Sequence, residues 1–165
     1  MADSRQFAIL TSGKTLWNKW RRDYSEVQAF EPDLHGADLH GADLRGIDLH
    51  GADLTEANLQ DADLRGADLH LADIRNANLR SADLSDANCS KALFNWTDLR
   101  DAILSRANLQ EADLRKANLL GANMEDAMLN KARRDAAPLP KIDLTEVKTN
   151  TPDDREILLT GAITK

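Results

Sequence analysis

Between residues 32 and 131 the chain repeats with a period of five, over twenty copies, without gaining or losing a residue. Counting by fives from Leu34 to Leu129, sixteen of the twenty pentad centres are Leu, the others being Ile74, Cys89, Phe94 and Met124. Two residues before the centre, seventeen of the twenty positions are Ala; Pro32, Ile47 and Thr97 are the exceptions. One residue before it, seventeen are Asp or Asn, with Leu93, Ile103 and Met128 standing apart.

A period of five is out of step with both regular elements. On an α-helix, at about 100° per residue, each pentad rotates its apolar pair by about 140°, and no single face collects them. In a straight strand the Ala and Leu of one pentad share a face, but the odd step puts the next pair on the opposite one. Every pair stays inside only if the chain turns between pentads in the same sense each time, which winds it into a coil. Small Ala and large Leu then alternate to fill a narrow interior, and the backbone pairs with the turns above and below. The centres Leu39, Leu44, Leu49, Leu54, Leu59, Leu64 and Phe94 are therefore predicted to point inward. Cys89, also a centre, is read as a small core hydrophobe.

Residues 36–44, Gly36-Ala37-Asp38-Leu39-His40-Gly41-Ala42-Asp43-Leu44, closely resemble the pentapeptide-repeat family, and the resemblance runs through about 100 of the 165 residues. It implies an all-β solenoid: a right-handed quadrilateral β-helix with four pentads per turn, hence about five coils. At sheet spacing that is a rod on the order of 24 Å long. The chain divides into a capping segment with a short helix over 1–31, the β-helix over 32–131, and a tail over 132–165 that serves as a cap or a dimerisation element or stays mobile.

Solenoid ends expose core and unpaired backbone, so caps are expected. Ser12 to Tyr24 reads as a helix N-capped by Ser12, with Leu16, Trp17, Trp20 and Tyr24 forming a broad apolar face against the first coil. Its bases Lys14, Lys19, Arg21 and Arg22 offer a weaker reading, a surface for a membrane or an acidic partner. In the tail, Thr151-Pro152-Asp153-Asp154 has the chemistry of a helix start, running through Leu159, with a strand over Ile157, Leu158 and Leu159 as the alternative.

No motif carries chemistry. Ala8 to Thr15 loosely matches a phosphate-binding loop, but that loop follows a strand and only seven residues precede it. The four histidines, His35, His40, His50 and His70, lie just after centres. Residues twenty apart stack if four pentads make a coil, so His50 neighbours His70, and no further ligand completes a metal site. The same stacking lines up Asp43, Asp63 and Asp83, and Asp33, Asp53 and Asp73. Turn hydrogen bonding explains these acids more simply than calcium, whose glycine-rich nonapeptide is absent. Neither a catalytic residue nor a cofactor or metal is assigned.

The lone cysteine and the lack of an apolar run near the roughly 18 residues of a membrane span suggest a cytoplasmic protein. The repeat carries eighteen Asp and Glu against ten Lys and Arg, a net of −8 within a chain of −7, which disfavours direct nucleic-acid binding. One break in the pattern bears on partners: at Leu93-Phe94-Asn95-Trp96-Thr97, Leu93 and Trp96 occupy outward positions. Exposed Leu beside Trp is the composition of a protein contact; local repacking around Phe94 is the plainer account. The expected function is a non-enzymatic scaffold that binds another protein, with homodimerisation left open. The alternative, implied by the resemblance, is a DNA-mimicking inhibitor or protector of DNA gyrase or another topoisomerase.

Overall fold

The architecture is given by a computed structural model, which describes residues 2–23 and 31–134. Two short helices precede the repeats: α1, Ser4–Thr11, and α2, Lys14–Asp23. From Asp33 onward the chain forms single-residue parallel bridges, and every one joins residues twenty apart, from Asp33 with Asp53 to Asp113 with Arg133. Successive turns thus lie in register, and the chain is a bridged solenoid. The last bridge falls two residues beyond the final full pentad.

Each pentad closes with a turn. The carbonyl of a centre accepts from the amide three residues on, as Ala67 N–H donates to Leu64 O at 2.9 Å and Ala107 N–H to Leu104 O at 3.0 Å. The third residue of each turn has positive φ at all twenty corners, six of them Gly and fourteen not. That sign is what a type II turn demands at this place. It also accounts for the frequent Gly and Asp at the corners, residues that enter the left-handed region at low cost. At Gly121, with φ of 77°, the Asp101 carboxylate lies where a Cβ would stand, so a larger residue there requires that side chain to move.

Between turns the ladder is regular. Leu64 N–H donates to Asp83 O at 2.7 Å and Gly66 N–H to Ser85 O at 2.9 Å, both to the following turn, while Asp63 N–H donates back to Ala42 O at 2.9 Å. Inside, Leu39, Leu44, Leu49, Leu54, Leu59, Leu64 and Phe94 are all buried, as the pattern predicts, and Ala fills the space between them. Where Thr97 replaces Ala, its buried hydroxyl donates to Ile74 O at 2.7 Å, so the extra polar atom is satisfied.

The amino-terminal end departs from the sequence reading. A helix over 12–24 is replaced by two, because Gly13 at φ 109° breaks the run and Ser12 is the C-cap of α1 rather than the N-cap of α2. Asp3 caps α1, its Oδ1 accepting from Arg5 N at 2.9 Å and Gln6 N at 3.0 Å. The phosphate-loop match fails on the same ground: a helix, not a strand, leads into it. Trp17 is fully buried and packs on half-buried Trp20 with ring centroids 4.9 Å apart, but Leu16 is half-exposed. Adjacent helical residues point about 100° apart, and the indole of Trp17 takes the inward direction. Tyr24 and the helix expected from Thr151 lie outside the described residues.

The cap is more than an apolar lid. The first coil has no turn before it, and the cap's side chains supply the missing partners. Gln6 Oε1 accepts from Asp33 N at 2.8 Å, and Asn18 Oδ1 accepts from Asp48 N at 2.9 Å. Asn18 Nδ2 donates to Gly46 O at 3.0 Å, Trp17 Nε1 to Asp48 O at 2.6 Å, and Arg21 to His50 O at 2.6 Å. Asp3 N–H donates to Asp33 O at 2.9 Å. Side-chain amides here imitate a backbone, which is how an exposed ladder end avoids unpaired groups.

Candidate protein-contact face

Most of the surface is occupied with its own turns. Each of the seventeen Asp and Asn residues at the position before a centre accepts, through Oδ1, from the backbone N–H two residues on. The acidic ladders are therefore turn locks. Five carboxylates are also gripped by the Arg two residues on, in forks such as Arg65 on Asp63 at 2.8 and 2.5 Å and Arg75 on Asp73 at 2.8 and 2.6 Å. Arg45, Arg100 and Arg115 hold Asp43, Asp98 and Asp113 likewise. Hydrogen bonding from Arg45 and from Arg115, respectively, is the leading cause that lowers Asp43 and Asp113 to about 2. These acids are ionised and internally neutralised.

The groups capable of chemistry are spent or isolated. Cys89 is buried, and burial, with the charge of Asp68 second, pushes its thiol up to about 12; it is no nucleophile. His50 and His70 stack as the twenty-residue spacing predicts, with ring centroids 5.2 Å apart. His70 Nδ1 pairs with Ser90 Oγ at 2.7 Å, and His35 Nδ1 with Thr55 Oγ1 at 2.7 Å. Among the described residues no group of three or more His, Cys, Asp or Glu is arranged to hold a metal ion. No helix among them is long and apolar enough to cross a membrane.

Leu93 and Trp96 lie on the surface, as their positions in the pentad predict. Leu93 is bridged between Asp73 and Asp113, and Trp96 stands at the corner of the same pentad with φ 64°, 65% exposed. Phe94 between them is fully buried, so the local pattern is core-directed and solvent-directed at once. The indole borders a shallow hollow lined by Arg75, Asn76, Asn95, Arg115 and Lys116, with Lys116 Nζ 5.8 Å from the ring centroid. The corner is held firmly: Thr97 N–H donates to Phe94 O and Asn76 N–H to Asn95 O, each at 3.1 Å. Leu71, Ile103 and Leu120 are exposed as well, but they belong to other ladders, twenty-residue steps that do not pass through residue 93 or 96. The sequence reading passed over these three, although Ile103 is one of its own exceptions.

A solenoid with a satisfied surface and one aromatic face belongs to the class of repeat proteins that present side chains on a rigid frame. The pentapeptide-repeat family model matches residues 33–70, 72–101 and 102–133 in eight copies, and the chain belongs to that family. Among solved structures it is similar to a pentapeptide repeat protein from Nostoc Pcc 7120, with 33% identity over 81% of this chain and 94% of the other, at a TM-score of 0.25. It is also similar to Rfr23 from the cyanobacterium Cyanothece 51142, with 24% identity over 72% and 93% of the two chains and a TM-score of 0.47. QnrB1, a plasmid-mediated fluoroquinolone resistance protein, gives 16% identity over 74% and 85%, with a TM-score of 0.39. No curated protein matches the chain.

Proposed function

We propose that this protein is a non-enzymatic scaffold of the pentapeptide-repeat type that binds another protein through the face bearing Leu93 and Trp96. The observation that carries the reading is the exposure of Trp96. It is the one exposed Phe, Tyr or Trp side chain among the described residues, set on a corner whose backbone is fixed from both sides. Tryptophan is among the residues that most often dominate the binding energy of protein interfaces. A rigid corner also presents it with little conformational entropy to lose.

We infer that the solenoid has the family's finer geometry, a right-handed, four-sided β-helix of about five coils. Four pentads per turn is consistent with bridges spaced by twenty residues.

The rival reading, a DNA-mimicking inhibitor or protector of a topoisomerase, draws less support. A duplex as long as this rod, about 24 Å, would carry about 14 negative charges. The repeat's net of −8 is roughly half of that, and its acids are interleaved with the Arg forks described above.

The test compares capture from a native extract by the wild-type chain and by a Leu93→Asp/Trp96→Gly double variant. Both changes install residues that the repeat already uses at those positions, so the fold is expected to survive. Partners retained by wild type and lost by the variant support the reading; an unchanged set of partners refutes it. Recovery of a topoisomerase that salt releases and the variant retains would favour the rival.

A further inference from the structure

Resting on the reading of Leu93 and Trp96 as a contact face, we propose that this face takes an acidic segment of a partner protein, one that carries an apolar side chain to cover the Trp96 indole. The basis is the local charge. Around the indole lie Arg75, Arg115 and Lys116, against two carboxylates, Asp73 and Asp113, that flank Leu93 on its ladder. The net is +1 on a repeat whose total is −8. Both carboxylates are engaged in Arg forks, and that of Asp113 is almost wholly buried, so basic side chains rather than acids line the hollow.

Leu93 sharpens this contrast. Elsewhere on its ladder stand Asp33, Asp53, Asp73 and Asp113, so its place is where one more carboxylate would otherwise face a ligand. Removing a charge there and adding an indole at the neighbouring corner makes a patch that is both apolar and cationic. A short acidic peptide fits both properties. It is repelled by most of the rod and drawn to this one face, so the field that excludes it elsewhere also directs it here. A nucleic-acid strand extends beyond the hollow and meets the acidic remainder, which disfavours it.

The experiment titrates the full chain into three fluorescein-labelled synthetic peptides of equal length and reads their anisotropy, a signal that does not depend on Trp96: one peptide of Glu and Asp around a central Leu-Phe pair, one with Lys in place of every acid, and one with neutral Ser in their place. The acidic peptide is expected to bind at least tenfold more tightly than the other two, and more weakly as salt rises. Lys116→Glu and Trp96→Gly, each checked for an unchanged circular dichroism spectrum, are expected to weaken it at least tenfold. Equal or tighter binding of the Lys peptide or of a single-stranded oligonucleotide overturns the proposal, as does self-association of the chain that Trp96→Gly abolishes. If the neutral peptide binds as well as the acidic one and both are lost with Trp96→Gly, the contact face stands and its acidic preference falls. If Trp96→Gly leaves all binding unchanged, the contact face itself falls.

Discussion

Gln6 is the residue through which the cap can be tested most directly. Its side chain is almost completely buried, and its Oε1 is the acceptor for Asp33 N–H, a role that the preceding turn fills in every later coil. Gln6→Met keeps the length and apolar stem but removes that acceptor. Leaving a buried donor unsatisfied costs about 1–3 kcal/mol. Taking about 2 kcal/mol, hydrogen exchange at Asp33 should accelerate about thirtyfold if the first coil opens locally. The melting temperature of a chain this size should fall by about 4–8 °C if the solenoid opens as one unit. Amide exchange followed by NMR separates the two, because Asp53 N–H, bonded to Pro32 O at 2.8 Å, belongs to the next coil and should change less in the local case. Arg5→Ala, on the exposed side of α1, is the control and should alter stability by less than about 0.5 kcal/mol. If Asp33 exchanges at the wild-type rate in Gln6→Met and the melting temperature is unchanged, the cap does not work by imitating a backbone turn.

Four further outcomes are expected. Leu64→Asp places a carboxylate on a fully buried centre between stacked turns and should abolish the cooperative melt seen by circular dichroism; a wild-type melt would show that the centres do not form the core. Trp96→Gly should leave stability within about 1 kcal/mol of wild type, because relief at a left-handed corner offsets the lost contact with Lys116, and a large loss in a denaturant titration would mean that the indole serves packing instead. Asp113 has a folded pKa of about 2, below the roughly 3.9 of an unfolded Asp, so its stabilising contribution is complete above about pH 4 and is lost as the pH falls towards 2; Asp113→Asn should flatten the fall in melting temperature over that window. Cys89 should resist alkylation at mildly alkaline pH in the folded chain and react only once the chain is unfolded, so labelling under native conditions at the rate of a free thiol would contradict its burial.

The sequence by itself determined the winding. A period of five cannot keep Ala and Leu on one side of a helix or a strand, so residues such as Leu64 and Phe94 identify a turning chain and its core without coordinates. The outward placement of Leu93 and Trp96 was legible for the same reason, since each stands at a pentad position that points away from the core. The left-handed corners were legible only in part: Gly and Asp recur there, but Leu71, Lys91 and Trp96 hold the same φ, imposed by closure of the turn rather than by their own preference. Only the tertiary structure decided the rest. Whether Gln6 and Asn18 matter depends on which backbone groups face them across 27 and 30 residues of chain, and no local pattern encodes that. The basic hollow around Trp96 likewise draws on Arg75, Trp96 and Lys116, residues about twenty apart that become neighbours only when successive turns stack, and a ladder of charges acquires its local sign there and not along the chain.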